Sequence, residues 1–407
     1  MADIVVNISR ATAAVTRAGF GKPLIIATNA NHAYKEYGTL SEVEADYAVS
    51  TVTYKMCTAL KSQEFAVPKI AILGKAFTEK TAVSITENLT TADNLTYSFA
   101  NDYIEVGSLA GLKDDGVAIP TENIESIDYK NGTITFNEVM GVVSVDSYSY
   151  FNDASALITE LNNLINAKKD FYFVLLDMTS YRAQEQIMTW IGTQNKMFHG
   201  RTTIAYDEFP FTFTNDRIIM WYHETANEFL DAAVVGQCGP KNPGSITWKN
   251  QRLNGITPND LDTATLSGLR EERINTAIDY LGNIVTASGL AGKELYIDQV
   301  RSTDFVKIRM QENLAALLIA QDKIPYDDTG IAQIVSVITK TLNQAGNQGI
   351  IARDIGGNLL FTVTSTPRAE IPQEDIAARV LKSVTFKYIE AGAVEGVEIT
   401  GQIVAEL

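Results

Sequence analysis

The chain has 407 residues, of which 45% are hydrophobic and 20% are charged, and its formal net charge at pH 7 is −16. This length exceeds what one ordinary hydrophobic core supports and predicts two or three domains. The apolar content excludes a disordered chain. The acidic balance argues against nucleic acid as a partner, because phosphate binding depends on clustered Lys and Arg.

The start of the sequence bears on secretion, and its cysteines bear on disulfide formation and zinc binding. Residues 1–4 lack the basic start and the apolar stretch of a secretory signal. No run approaches the roughly 18 uninterrupted apolar residues of a membrane span, so we expect a soluble protein without membrane insertion. Cys57 and Cys238 have no metal-ligand spacing, and we expect two buried thiols rather than a disulfide or a zinc site.

The first predicted element is an extended N-terminal arm over residues 1–20. It contains the apolar residues Ile4, Val5, Val6 and Ile8. Because side chains alternate along a strand, Ile4, Val6 and Ile8 share one face. An Ala- and Thr-rich stretch then separates this strand from the rest of the chain.

Residues 21–76 read as the first part of an α/β core. An apolar run at 24–27 is followed by a helix pattern from 41 to 60, which opens with a Ser-x-x-Glu capping box. The short apolar run at 69–74 is typical of a strand that is covered on both faces. The order strand, helix, strand opens an α/β unit.

Residues 77–150 predict a small β-rich domain. The runs are short, rich in Thr, Tyr and Val, and interrupted by turn residues. Asn131 and Gly132 give the strongest hairpin signal in the chain. The segment has twelve acidic and three basic residues, a balance of −9, so it holds more than half of the net charge.

The α/β pattern resumes over residues 151–240, so the β-rich domain is predicted to be inserted into an α/β core. Helices are expected to begin at Asp153 and Ser180, and strands are expected at 171–176, 202–206 and 218–222. A Gly- and Pro-rich break follows Cys238.

Residues 241–383 predict a further core unit with amphipathic helices at 305–320 and 331–342. Residues 274–288 fit either a helix or a hairpin that turns at Gly282, and we favour the hairpin. The terminal segment 384–407 is expected to form strands at 384–389 and 397–403, with Val397, Ile399 and Ile403 on the second strand. An isolated strand or hairpin is marginal in water, so both ends need a partner sheet, either in their own chain or in another subunit.

The sequence offers little for catalysis or cofactor binding. His32, His199 and His223 are its only histidines, and a triad of Ser180, His199 and Asp177 has no motif to support it. No phosphate-binding motif is present, and the Asp pairs at 114–115 and 327–328 fit turns better than calcium sites. We therefore expect no enzyme, no metal and no cofactor.

One stretch is similar to a known family. Residues 295–312, which contain the run Tyr-Ile-Asp-Gln-Val-Arg-Ser-Thr-Asp-Phe, resemble a segment typical of contractile phage tail sheath proteins, and residues 323–331 strengthen the match. The resemblance covers mainly the C-terminal half, and the order of the N-terminal elements is compatible with it.

The resemblance implies a sheath-type α/β core and a structural role. Sheath subunits form stacked rings, usually sixfold, around an inner tail tube, and they join baseplate and tail terminator proteins. Their terminal strands add to sheets of neighbouring subunits, and contraction drives the tube through the host envelope. The expected place is a virion tail or a phage-tail-like particle, assembled in the host cytoplasm.

Under this interpretation, residues 295–342 face the tube and the acidic β-rich domain faces outward. Local basic clustering makes Arg301, Lys307, Arg309 and Lys323 candidate tube contacts. Two alternatives stay open at this point, namely a monomeric binding module and an enzyme without a recognisable motif.

Overall fold

The computed structural model describes residues 19–396. Its first part has the predicted strand, helix, strand order with two additional pieces. The elements are β1 (Pro23–Ala27), β2 (His32–Tyr37), α1 (Leu40–Glu44), α2 (Val52–Lys61) and β3 (Ile70–Gly74). β1 and β3 are buried along their whole length, as expected for apolar runs in a sheet covered on both faces.

The single helix predicted for residues 41–60 is wrong, because the structure has two helices there. The capping box of α1 lies two residues earlier than expected: the Thr39 hydroxyl accepts from the Glu42 amide, and the Glu42 carboxylate accepts from the Thr39 amide. The helix ends after Glu44, and Thr51 caps α2 separately. Val49, in the segment between the two helices, is 53% exposed.

Residues 80–151, which we call the β insert, form ten short strands. These are β4 (Lys80–Val83), β5 (Glu87–Asn88), β6 (Thr90–Thr91), β7 (Thr96–Ser98), β8 (Lys113–Asp114), β9 (Val117–Ala118), β10 (Ile124–Asp128), β11 (Thr133–Phe136), β12 (Val143–Val145) and β13 (Tyr148–Phe151). The predicted hairpin is confirmed between β10 and β11, and Gly132 adopts a positive φ in its loop. The insert surrounds its own apolar cluster, which includes Tyr97, Ile134 and Phe136.

The chain then returns to the core. The next elements are α3 (Ser155–Asn166), β14 (Phe173–Leu176), α4 (Tyr181–Ile191), β15 (Met197–Thr202), β16 (Ile218–Tyr222), α5 (Leu230–Cys238), α6 (Thr263–Glu271), β17 (Ile274–Asn275), β18 (Ala277–Tyr280) and β19 (Asn283–Thr286). The hairpin favoured for 274–288 is confirmed as the β18–β19 pair. The strand expected at 202–206 is wrong: β15 lies earlier, in a run that includes His199 and Arg201, whose polarity hid it from an apolar pattern.

Seven strands form one central sheet in the order β17-β16-β15-β14-β1-β3-β2. All neighbours are parallel except β2 and β3. Alternate side chains face opposite layers: Ile25 and Leu175 join a core with α2, α5, and the later helices, whereas Leu24 and Val174 join a core with α3 and α4. The sheet is therefore the middle layer of an α/β/α arrangement.

The C-terminal part adds a helical hairpin and a small sheet. Its elements are α7 (Ile297–Ala320), α8 (Asp328–Asn347), β20 (Phe361–Ser365), α9 (Gln373–Ala377) and β21 (Val384–Tyr388). Both predicted amphipathic helices are confirmed, and α7 begins well before the expected residue 305. The strand predicted at 384–389 is also confirmed as β21, which pairs with β20 inside the chain.

The predicted fold class, an α/β core with an inserted β-rich unit, is confirmed. The predicted terminal arms lie outside the described residues, so the strand partners of residues 4–8 and 397–403 stay predictions. The same holds for the domain boundaries at 20, 76, 150, 240 and 383. Within the described part of the chain, no helix is both long enough and apolar enough to cross a membrane.

Candidate subunit interface

The three side chains that could suggest a hydrolytic triad each have a structural partner. Asp177 follows β14 and accepts from the Thr28 amide and hydroxyl and from the Thr53 hydroxyl, the latter two at 2.7 Å. This carboxylate lies between β14 and β1, where the strand order reverses and where sheets of this type bind ligands. Its oxygens are taken by two threonines of the same chain.

His199 and Ser180 are likewise engaged elsewhere. His199 Nδ1 accepts from Trp221 Nε1 at 3.1 Å, and burial lowers the pKa of this histidine to about 3, so it is neutral at physiological pH. The Ser180 hydroxyl caps α4 by accepting from the Ala183 amide. The Asp177 carboxylate, the Nδ1 atom of His199 and the Ser180 hydroxyl thus each have a structural partner, while His199 Nε2 is buried without one.

The acidic pairs also have structural roles. Asp327 caps α8 through the Gly330 amide at 2.9 Å, and Asp328 accepts from the Arg368 amide at 2.7 Å. Asp114 accepts from the Gly141 amide at 2.7 Å. Across residues 19–396, no cluster of three or more His, Cys, Asp or Glu is arranged to hold a metal.

The two cysteines are buried free thiols, as expected. Burial raises the pKa of both Cys57 and Cys238 to about 12, so neither is a thiolate near neutral pH.

Arg301, predicted as a tube contact, lies in the core. It is 1% exposed, and its guanidinium donates to four backbone carbonyl oxygens while lying 5.3 Å from the Phe173 ring and 5.4 Å from the Trp248 ring. The expectation of an accessible cation at this position is therefore wrong. Arg301 is buried because it lies on the inner face of α7, a fact that the basic residues near it in the sequence do not reveal.

The other three candidates lie nearer to the surface. Lys307 is exposed on α7 and donates to Asn195 Oδ1 at 3.1 Å, and Lys323 is exposed in the loop between α7 and α8. Arg309 is paired with Glu312 at 2.5 Å and lies over the rings of Phe20 and Phe305. The structure thus separates Arg309, a partly buried packing residue, from the two exposed lysines.

The small sheet of β20 and β21 has open sides. In the described part of the chain each of these strands pairs only with the other, so each leaves one row of backbone donors and acceptors for another strand. Sequence reasoning missed β20, although Phe361 and Val363 show the alternation of a strand.

An apolar groove of about 480 Å³ lies beside this sheet. It is lined by side chains from the C-terminal half of α7, from α8, and from the segment that leads into β21, among them Leu317, Ile334 and Val384. Leu318 and Ile319 at the end of α7 are 63% and 61% exposed. A helix end that is apolar all round is typical of a surface that another element covers.

A protein-family model matches the C-terminal part of the chain. Residues 297–403 match the family model described as E217 tail sheath protein gp31-like, C-terminal domain. A search of curated proteins found no significant match.

Solved structures match over nearly the whole chain. The helical sheath of the anti-feeding prophage in its contracted state has a TM-score of 0.61 at 10% identity, and the match covers 100% of this chain and 99% of that chain. The PVC sheath complex of an extracellular contractile injection system, also contracted, has a TM-score of 0.58 at 10% identity, with 100% and 98% covered.

A sheath tail protein from Desulfitobacterium hafniense has a TM-score of 0.51 at 11% identity, with 95% of this chain and 100% of that chain covered. The sequence resemblance is therefore confirmed: residues 297–403 match a tail sheath C-terminal domain, and the chain has the fold of contractile tail sheath proteins.

Proposed function

We propose that this chain is a sheath subunit that polymerises into stacked helical rings around an inner tail tube. The observation that carries the proposal is the agreement of the whole chain with helical sheath structures, joined to the family match over residues 297–403. The assembled sheath would belong to a virion tail or a phage-tail-like particle, assembled in the host cytoplasm. Its partners would be further copies, the tube protein, and baseplate and tail terminator proteins.

Assembly would use the terminal arms. The apolar residues Ile4, Val5, Val6 and Ile8 at one end and Val397, Ile399 and Ile403 at the other would pair with sheets of neighbouring subunits. The open sides of β20 and β21 support this, because each added backbone hydrogen bond contributes about 0.5–1.5 kcal/mol. Several such bonds make a directional link between subunits.

The apolar groove beside β21 supports the same proposal. Val384 and the residues just before it line the groove, so the groove opens beside the start of β21. An apolar segment of a neighbouring subunit seated there would cover Leu317 and Ile334. Each fully buried aliphatic side chain contributes about 1.5–3 kcal/mol, comparable to the backbone hydrogen bonds.

The tube would contact the exposed cations of the α7–α8 hairpin. Lys307 and Lys323 are accessible, and Arg309 would act through its pair with Glu312. Contraction would drive the tube through the host envelope by exchanging one packing of subunits for another, with no nucleotide consumed, because bistable interfaces can store this work. The acidic β insert would face outward and discourage particles from associating.

Electron microscopy of the purified full chain tests the proposal. We expect tubes or ready polymerisation, and light scattering should report large species. A chain lacking residues 397–407 should stay folded by circular dichroism and form no sheaths. A single species of 44.5 kDa at high concentration would instead indicate a monomeric binding module. Normal sheaths from the truncated chain would contradict the role of the C-terminal arm.

A further inference from the structure

The place where the N-terminal segment joins the core is held by backbone contacts rather than by a strand. Phe20, the last residue of the predicted arm, packs between the rings of Tyr172 and Phe305, at centroid distances of 5.4 and 5.6 Å. Gly21 lies against Gly239, and a Cβ at Gly21 would be only 2.7 Å from the Gly239 oxygen. Residues 19–22, which we call the N-terminal root, therefore lie directly against the chain that follows α5.

Arg301 ties these two segments together. Its Nη2 donates to the carbonyl oxygens of Phe20, Gly239 and Lys241 at 2.9, 3.1 and 3.1 Å, and Nη1 donates to Cys238 O at 3.3 Å. Three of these carbonyls lie at or just beyond the C-terminal end of α5, where helix carbonyls lack intrahelical partners and the helix dipole favours a cation. The planar fork of an arginine, with five N–H donors, suits a buried position that serves several acceptors.

The place where the C-terminal segment leaves the core is attached to the same stretch of chain. Thr247 Oγ1 donates to Glu395 Oε1 at 2.9 Å, and Lys249 Nζ donates to the Glu395 carbonyl oxygen at 2.9 Å. Trp248, between these two residues, is fully buried and faces the guanidinium of Arg301. Residues 239–249, which we call the anchor loop, thus contact the N-terminal root. They also contact the chain at Glu395, which we call the C-terminal root.

We propose that Arg301 is a positioning residue that couples the root of the N-terminal arm to the root of the C-terminal arm through the anchor loop. The coupling between the two roots is a property of the isolated subunit, and only its role in linking subunits rests on the proposed function. If both arms link neighbouring subunits, a pull on one arm passes to the other through the anchor loop and α7. The β insert takes no part in this path, and a subunit can move as one body while its links stay intact.

Hydrogen exchange on the isolated full chain, diluted below any polymerisation, measures this coupling without requiring a sheath. Lys249→Met loosens the C-terminal root from the anchor loop. We expect it to raise exchange at least about threefold in peptides covering residues 19–24, although Lys249 does not touch them. Arg301→Lys should raise exchange at both roots, and the double variant should exchange no faster at residues 19–24 than Arg301→Lys alone.

Lys307→Met is the matched control, because it removes an exposed cation from the same helix and should change neither root. Unchanged exchange at residues 19–24 in Lys249→Met would overturn the proposal, as would simple additivity in the double variant. If Arg301→Lys does not fold, Lys249→Met and Thr247→Val still test the coupling with Arg301 in place. Intact coupling in a chain that never forms tubes would contradict the proposed function alone.

Discussion

The β insert and the α7 helix are attached to the central sheet in different ways. The insert has its own apolar cluster and meets the body mainly at α4, through Arg182 with Asp102 and Tyr103 with Glu185. α7 instead sends charged side chains into the body, where Asp304 is 1% exposed and pairs with Arg217 at 2.8 Å. A destabilising substitution in the insert should therefore affect the stability of the insert alone, whereas one in α7 should lower the stability of the whole subunit.

The buried pair on α7 provides the largest expected effect. Asp304 accepts two bonds from Arg217 and one from the Tyr172 hydroxyl, all at 2.8 Å. Asp304→Ala leaves the arginine and the phenol without their acceptor, so we expect the free energy of unfolding to fall by about 3–5 kcal/mol. Urea denaturation of the isolated subunit measures it. Asp375→Ala, which breaks a surface pair with Lys382, is the control and should cost at most about 1 kcal/mol.

The core of the insert should behave differently. Phe136→Ala removes a side chain that is 1% exposed in the insert cluster, and we expect about 3–5 kcal/mol of local stability to be lost. Hydrogen exchange should rise across residues 80–151 and stay unchanged in β14 and α7. A uniform rise over the whole chain would show that the insert and the body unfold as one cooperative unit.

Lys196 gives a smaller effect that depends on pH. Burial lowers the pKa of this lysine to about 8, while its ammonium lies 4.3 Å from the Phe171 ring. Below pH 8 the folded state holds a charge that its site disfavours. Between pH 8 and 10.5 the unfolded chain still binds the proton that the folded chain has released, so stability rises with pH.

Lys196→Met removes that buried charge but also the donor to the Phe171 carbonyl. We expect a net gain of about 1 kcal/mol at pH 7 and no rise from this position between pH 8 and 10. Thermal unfolding at a series of pH values checks both. Parallel curves for the variant and the parent protein would contradict the shifted pKa.

The smallest effect on stability belongs to an exposed lysine in the middle of α7. Lys307→Glu should change the free energy of unfolding by no more than about 0.5 kcal/mol, because its side chain is exposed and its hydrogen bond to Asn195 lies at the surface. Combined with Arg309→Glu, it should weaken assembly on tubes in a co-sedimentation assay. Unchanged assembly would remove this helix face from the tube interface.

Sequence reasoning succeeded where the pattern is local. The buried runs of β3, β14 and β16 and the hairpin at Gly282 follow from apolar content and turn chemistry alone. It failed at β15, because that strand carries buried polar residues whose partners lie in other elements. His199 is neutral against Trp221, and Arg201 faces Asp231 at 3.6 Å.

Within the single helix α7, the local sequence likewise does not show which charged residues are buried. Arg301 and Lys307 are both cations on α7, and nothing near them in the sequence distinguishes a buried anchor from an exposed lysine. The sequence by itself determined those strands and helices whose pattern is regular, since each such element's periodicity depends on its immediate neighbours. Only the tertiary structure decided which charges are buried and which strand sides stay open, because these depend on contacts between residues far apart in the chain, such as Arg301 with Phe20.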